Sequence, residues 1–185
     1  MRATNVSDIT IRPLREEEIG LLDQMNRGWA KGRPLALHQD RFLRQQAGEA
    51  VYLFAWHEEQ PVGHVLLVLT GPSKEPMRSA LRNCAHISDL FVIPGYWSLG
   101  IGTRLMDEVE ALAARHGFIQ IGLDVAIDND RAIVLYERRG YKDLDFGERA
   151  VSWGYFDPVG QEQVQHDLLV YLVKTLRAKP ERNSG

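Results

Sequence analysis

The chain has 185 residues, 44% of them hydrophobic and 25% charged, the proportions of an ordinary folded domain and not of a disordered or fibrous chain. At about 150 residues per domain, one domain is expected, residues 1–178, with a polar tail over 179–185 expected to fray. With 22 Lys and Arg against 25 Asp and Glu the formal charge is −3, which leaves no basic footprint for a nucleic-acid partner.

The first eight residues hold no apolar signal segment, and the single cysteine, Cys84, has no internal disulfide partner, so a reducing, cytoplasmic compartment is the expectation. Ile9 and Ile11 alternate with Thr10 and Arg12 before Pro13, predicting a short strand, and Ile19, Leu22 and Met25 then recur at helical spacing over 15–25. A loop at 27–34 leads to a second helix at 35–47, closed by Gly48. Residues 51–56 and 62–69 read as a hairpin about the turn 57–61. The second arm is the most apolar run in the chain, yet it falls far short of the roughly 20 residues of a membrane helix and contains His64, so no membrane span is expected.

A loop follows at 70–82 and a strand at 85–93. Beyond Pro94 and Gly95, the residues Ile101, Leu105, Met106, Val109, Leu112 and Ala113 mark an amphipathic helix ending near Gly117. Ile119, Ile121, Leu123 and Val125 then alternate with Gln120, Gly122, Asp124 and Ala126, a strand with one apolar face and one small, polar face. Asp128 or Asn129 caps a helix running through Arg139, Gly140 closes it, and Tyr141 opens an extended piece. A final strand is read at 166–173. The order β-α-α-β-β-β-α-β-α-β-β predicts a mixed α/β fold with helices packed on a sheet.

The segment from Val92 to Met106 runs from a strand through Gly95, Gly100 and Gly102 into a helix. Such a helix start presents unpaired N–H groups and a positive dipole end, and glycine lets a phosphate approach the backbone. A plain structural turn explains two glycines equally well. A Walker loop needs Lys-Ser or Lys-Thr after its second glycine, where Thr103-Arg104 stands here. A dinucleotide fingerprint needs Gly or Ala at the third position, taken by Leu105, although Asp124 lies at about the right distance for a ribose-binding acid.

The stretch Val92-Ile93-Pro94 followed by Trp97-Ser98-Leu99-Gly100-Ile101-Gly102 resembles the acetyl-CoA loop of the GNAT family, the GCN5-related N-acetyltransferases, which reads Arg or Gln-x-x-Gly-x-Gly or Ala. Leu123 to Tyr141 resembles the next strand and the Asn-x-x-Ala-x-x-Leu-Tyr-Glu-x-x-Gly-Tyr helix of that family. The resemblance covers Ala85 to Tyr141 and implies the GNAT fold: a central mixed, mostly antiparallel sheet flanked by helices. It implies an N-acetyltransferase moving acetyl from acetyl-CoA to a small-molecule or peptide amine by direct attack in a ternary complex, without a metal; a homodimer is left open. A non-catalytic acyl-CoA binding or sensing domain is the alternative.

Carried over residue by residue, the resemblance assigns the cofactor to Leu90, Phe91 and Val92 on the strand, to Trp97, Ser98, Leu99, Gly100, Ile101, Gly102 and Thr103 in the loop, and to Asn129 and Tyr136. Trp97 stands where the family has Arg or Gln, and Ser98 and Leu99 replace a Gly and a basic residue. Backbone donors survive that change, while the electrostatic part weakens, and Arg104 is read as partial compensation.

Tyr136 matches the family tyrosine that protonates the departing thiolate, a role suited to a phenol of pKa near 10. The base that takes the amine proton is read as Asp124, His86 or water. Periodicity puts His86 on one strand face with Ser88, Leu90 and Val92, and Asp89 on the other with Ile87, Phe91 and Ile93, as a buried structural carboxylate. Core packing is the competing explanation for each of these side chains. Cys84 and His86 have no second paired motif for zinc, and Ser98 lacks a hydrolase elbow. Trp153, Tyr155 and Phe156, in a late loop, line an acceptor pocket or simply pack.

Overall fold

Two apolar runs joined by a short polar turn make the centre of the sheet. Ala50–His57 (β2) and Gln60–Val68 (β3) pair antiparallel, Val51 opposite Leu67 and His57 opposite Gln60, and Glu58 takes a left-handed φ of 55° to close the turn. The structure, a computed structural model, describes residues 8–26, 37–157 and 159–176. The expected loop at 27–34, the start of the second helix and the tail at 179–185 lie outside them.

Around the hairpin stand Ile9–Pro13 (β1), Cys84–Val92 (β4), Gln120–Ala126 (β5), Lys142–Asp143 (β6), Arg149–Phe156 (β7) and Glu162–Thr175 (β8). The sheet runs β1-β2-β3-β4-β5-β8-β6, with β7 also on β8. Only β4 and β5 are parallel; every other recorded pairing is antiparallel. The helices are Ile19–Asn26 (α1), Leu37–Gln46 (α2), the single turn Met77–Ala80 (α3), Ile101–Arg115 (α4) and Asp130–Arg138 (α5). Helix α3 falls within what the sequence reads as an unbroken loop.

The alternating strands cover themselves on both faces. On one face Leu53, Val65, Leu67, Ile87, Ile121 and Leu123 pack with Ile101, Leu105, Met106 and Val109 of α4 and Tyr136 of α5. On the other, Tyr52, Phe54, Trp56, Leu66 and Val68 pack with Leu22 of α1 and Phe42 of α2. A smaller cluster on that second face joins Met77, Leu81, Cys84, Tyr171 and Val173. The buried apolar stripe of α4, about 1.5–3 kcal/mol for each large side chain, fixes that helix on the sheet without help from a ligand.

One irregularity positions everything that follows. His64 lies opposite Phe91 and Leu66 opposite Ser88, so Asp89 and Leu90 together face Val65, a β-bulge. Asp89 adopts φ 54°, a conformation unfavourable for a residue with a Cβ. Its carboxylate meets the buried Arg41 guanidinium at 2.7 Å and lies 3.4 Å from His64 Nε2. Arg41 also donates to Tyr52 Oη at 2.9 Å, so a paired charge under the sheet holds the bulge.

The bulge corrects the expected faces of β4. By their β3 partners, Ile87 and Val92 point toward α4, whereas His86, Ser88 and Phe91 point toward α2 and α3. Leu90 joins the α4 cluster and Asp89 turns toward Arg41. Strict alternation fails because the extra residue shifts the phase by one. Just before the bulge the recorded β4–β5 pairing stops, at Ile87 opposite Leu123, so Ser88–Val92 and Asp124–Ala126 run on without pairing to each other, an unpaired wedge between the two strands.

Two further expectations change. Ile119 lies outside β5 and is exposed, and the late loop is the strand β7, paired with β8 from Arg149–Leu169 to Phe156–Glu162. Trp153 and Tyr155 are half-buried on the face that carries Arg149, while Phe156 is exposed on the opposite face, so the three aromatics do not form one group.

Candidate functional site

On the α4 side of the wedge the chain leaves β4 at Val92, makes a single tight turn over Pro94–Tyr96 and enters α4 through Ser98, at φ 64°, and Gly100, at φ 78°. Gly100 is the position where only glycine sits without strain. The bond from Arg104 N–H to Gly100 O is 3.0 Å, so the N–H groups of Gly100, Ile101, Gly102 and Thr103 lie ahead of the helical ladder and have no partner within it. Gly102 is different: a Cβ built there would meet nothing closer than Val92 Cγ2 at 4.0 Å. Protein packing does not demand glycine at 102, whereas a phosphate lying on these donors would. The backbone therefore fits a phosphate group.

The side chains of this loop divide. Ile101 is buried and Leu99 packs on the α4 cluster, so both offer only main chain, while Thr103 is exposed at the rim. Trp97 is 50% exposed and its Nε1–H donates to Val92 O at 2.6 Å. Arg131, from the first turn of α5, lies with its Cζ 4.6 Å from the centre of the Trp97 ring and its Nη2 3.4 Å from Ser98 Oγ. Arg104, read from sequence as partial compensation for the missing basic residue, instead turns to β1, where its Nη2 donates to Ile9 O at 2.8 Å. Asn129 is the N-cap of α5, its Oδ1 accepting from Ala132 N–H at 3.2 Å.

Tyr136 is buried among the α4 and α5 residues, its ring 5.8 Å from that of Tyr141. No hydrogen bond from its hydroxyl is recorded among the described residues. Burial pushes its pKa up to about 12, so the phenol keeps its proton at neutral pH and is a donor, not a base.

On the far side of the wedge a second constellation forms. His86 pairs in register with Gly122 and Asp124 with Tyr171, all toward α3. His86 Nδ1 lies 3.2 Å from Tyr171 Oη, and the rings stack at 5.8 Å. Burial lowers the His86 pKa, against a smaller opposing pull from Asp124. Arg149 Nη2 donates to Asp124 Oδ1 at 2.7 Å. Gly122 is small because a Cβ there would lie 2.5 Å from the Tyr171 ring. Burial raises the Tyr171 hydroxyl far above its ordinary range and Cys84 to about 12, so neither ionises near neutrality.

The structure thus brings His86 and Asp124 to one side of the wedge and the glycine loop, Leu90 and Val92 to the other. Sequence reasoning missed Tyr171, Arg149 and Arg131. Arg131 lay inside a recognised motif, whereas the first two depend on strand register that no local pattern reveals. Among the described residues no cluster of three His, Cys, Asp or Glu could hold a metal, and no helix is long and apolar enough to cross a membrane.

Comparison with known proteins bears on the family and the fold. GCN5-related N-acetyltransferase 4, chloroplastic, of Arabidopsis thaliana is 33% identical over 82 residues, 44% of this chain and 28% of that protein. Thialysine N-epsilon-acetyltransferase of Mus musculus is 33% identical over 70 residues, 38% of this chain and 41% of that protein. The chain thus spans less than half the length of these two curated relatives. The crystal structure of paia N-acetyltransferase from Thermoplasma acidophilum in complex with coenzyme A shares the fold, with a TM-score of 0.62 at 18% identity over 88% of this chain and 97% of that one. The acetyltransferase (GNAT) family model matches residues 19–141, the segment that holds the glycine loop, His86 and Asp124 but not Arg149 or Tyr171, and the chain belongs to the GNAT acetyltransferase family.

Proposed function

We propose that the protein transfers the acetyl group of acetyl-CoA to an amine by direct attack, with both substrates bound at once. The observation that carries this reading is the wedge between β4 and β5, with a phosphate-ready helix start on one side and an ionisable cluster on the other. Acetyl-CoA supplies the electrophilic thioester carbonyl. The backbone of Leu90, Phe91 and Val92, unpaired with β5, offers donors and acceptors to an extended pantetheine arm, and the N–H groups from Gly100 to Thr103 hold the diphosphate.

An alkyl amine is mostly protonated at neutral pH, with a pKa near 10, and must lose a proton before it attacks. His86 takes that proton. Burial keeps its imidazole neutral, and in the tautomer whose Nδ1–H donates to Tyr171 Oη, Nε2 keeps its lone pair for the incoming proton. Asp124 is paired with Arg149, which holds its carboxylate in place beside that path. Tyr136 holds a proton at its hydroxyl for the leaving thiolate.

The test is release of CoA thiol from acetyl-CoA in the presence of an amine panel: diamines, aminoglycosides, thialysine and peptide N-termini. Turnover with any of them supports the reading. Saturable acetyl-CoA binding with no release across the panel would instead favour a binding or sensing domain.

A further inference from the structure

The loop from Val92 to Thr103 carries no Lys or Arg, although it is the segment read above as the diphosphate cradle. The first cation beyond it, Arg104, is spent on the Ile9 carbonyl of β1. A cradle made only of N–H dipoles leaves much of a diphosphate's charge unbalanced. We propose that Arg131, reaching over from α5, is the side chain that binds the cofactor's diphosphate, and that Trp97 is its platform.

Three observations combine. The Trp97 indole is fixed by its Nε1–H bond to Val92 O at 2.6 Å, so its face is a rigid surface at the end of β4. The guanidinium lies 4.6 Å from the ring centre, a cation–π arrangement that orders a long side chain and leaves its edge donors pointing outward. The only polar contact recorded for Arg131 is the long one to Ser98 Oγ at 3.4 Å, and no ion pair to a carboxylate is recorded for it among the described residues, so its charge is unneutralised beside the loop. Asn129 fixes the first turn of α5 through the Ala132 N–H, which aims Arg131 at the loop. Trp97 and Arg131 together supply what a basic loop residue would: Trp97 gives position and Arg131 gives charge. A planar guanidinium also suits paired phosphate oxygens.

The inference rests on the acetyl-CoA reading, and the experiment separates the two. Acetyl-CoA, its 3′-dephospho form and S-acetylpantetheine, which lacks the diphosphate, are titrated calorimetrically into wild type and Arg131→Gln, with thermal unfolding as the folding control. If Arg131 binds the diphosphate, Arg131→Gln weakens acetyl-CoA and dephospho-acetyl-CoA alike by about tenfold or more, leaves S-acetylpantetheine unchanged, and flattens the salt dependence of acetyl-CoA binding. Equal affinity in wild type and variant overturns the proposal. So does a loss confined to the 3′-phosphorylated ligand, or one shared by S-acetylpantetheine. A wild type that binds no CoA ester at all overturns the parent reading, and this one with it.

Discussion

On the α4 side of the wedge the groups facing the opening come from two neighbouring pieces of chain, the 92–103 loop and the first turn of α5, and most are main-chain N–H groups. On the other side His86, Asp124, Arg149 and Tyr171 come from four strands, β4, β5, β7 and β8, and act through side chains whose positions depend on register. A main-chain site tolerates replacement of its side chains, so Trp97 in place of the Arg or Gln of the motif it resembles leaves the N–H groups intact. A side-chain site has no such tolerance. Changes on the loop side should therefore appear in cofactor affinity, and changes on the strand side in turnover.

The largest expected effect comes from the element both sides share. Asp89→Ala removes the carboxylate that pairs with Arg41 and leaves a buried guanidinium uncompensated at a backbone position with φ 54°. Stability should fall by about 3–5 kcal/mol, measured by urea unfolding. Asp89→Asn tolerates the left-handed region and keeps a hydrogen-bonding oxygen but removes the charge, so it should lose nearly as much. A much smaller loss for Asp89→Asn would mean that the charge pair does not hold the bulge.

Next is the strand side alone. With a true acceptor, His86→Gln should lower kcat by about 100-fold, and the wild-type rate should fall as pH drops through a value below the ordinary 6.5, since burial lowers the His86 pKa. The same shift bears on folding. A His whose folded pKa is depressed stabilises the fold fully above the unfolded value and loses that contribution as pH falls toward the folded value. The stability advantage of wild type over His86→Gln should therefore shrink below about pH 6.5; an advantage constant from pH 7.5 to 5 would show that folding does not lower the His86 pKa. Tyr136→Phe should have the smallest effect, about tenfold on kcat with acetyl-CoA affinity intact. A thiol of pKa near 8.5 leaves readily and needs less help from an acid. A variant with normal kcat and weaker binding would make Tyr136 a positioning residue.

The same contrast explains what could be read from the sequence. The loop, α4 and α5 were legible because their signals are local: Gly100 and Gly102, the apolar stripe from Ile101 to Ala113, and Asn129 with Gly140 at the two ends of α5. The strand side was only half legible. His86 and Asp124 were found, but a single extra residue at Asp89 reversed the faces of Leu90 and Val92, and nothing in the residues around 89 marks a bulge. Tyr171 meets Asp124 across a register set by the β5–β8 ladder, far away in sequence. β7 was read as loop although Val151, Trp153 and Tyr155 alternate, because Gly154 and the polar residues between them hide a strand that is half-buried on only one face.

The measurement that most directly tests the division of labour is calorimetric titration of acetyl-CoA into wild type, Gly102→Val and His86→Gln. A valine at 102 has room in the protein, its Cβ meeting nothing nearer than 4.0 Å, so the fold should hold while its branches occupy the space kept for the diphosphate. The account predicts about a 100-fold loss of affinity for Gly102→Val at unchanged thermal stability, and wild-type affinity for His86→Gln. Undiminished binding by Gly102→Val, or a comparable loss in His86→Gln, would contradict it.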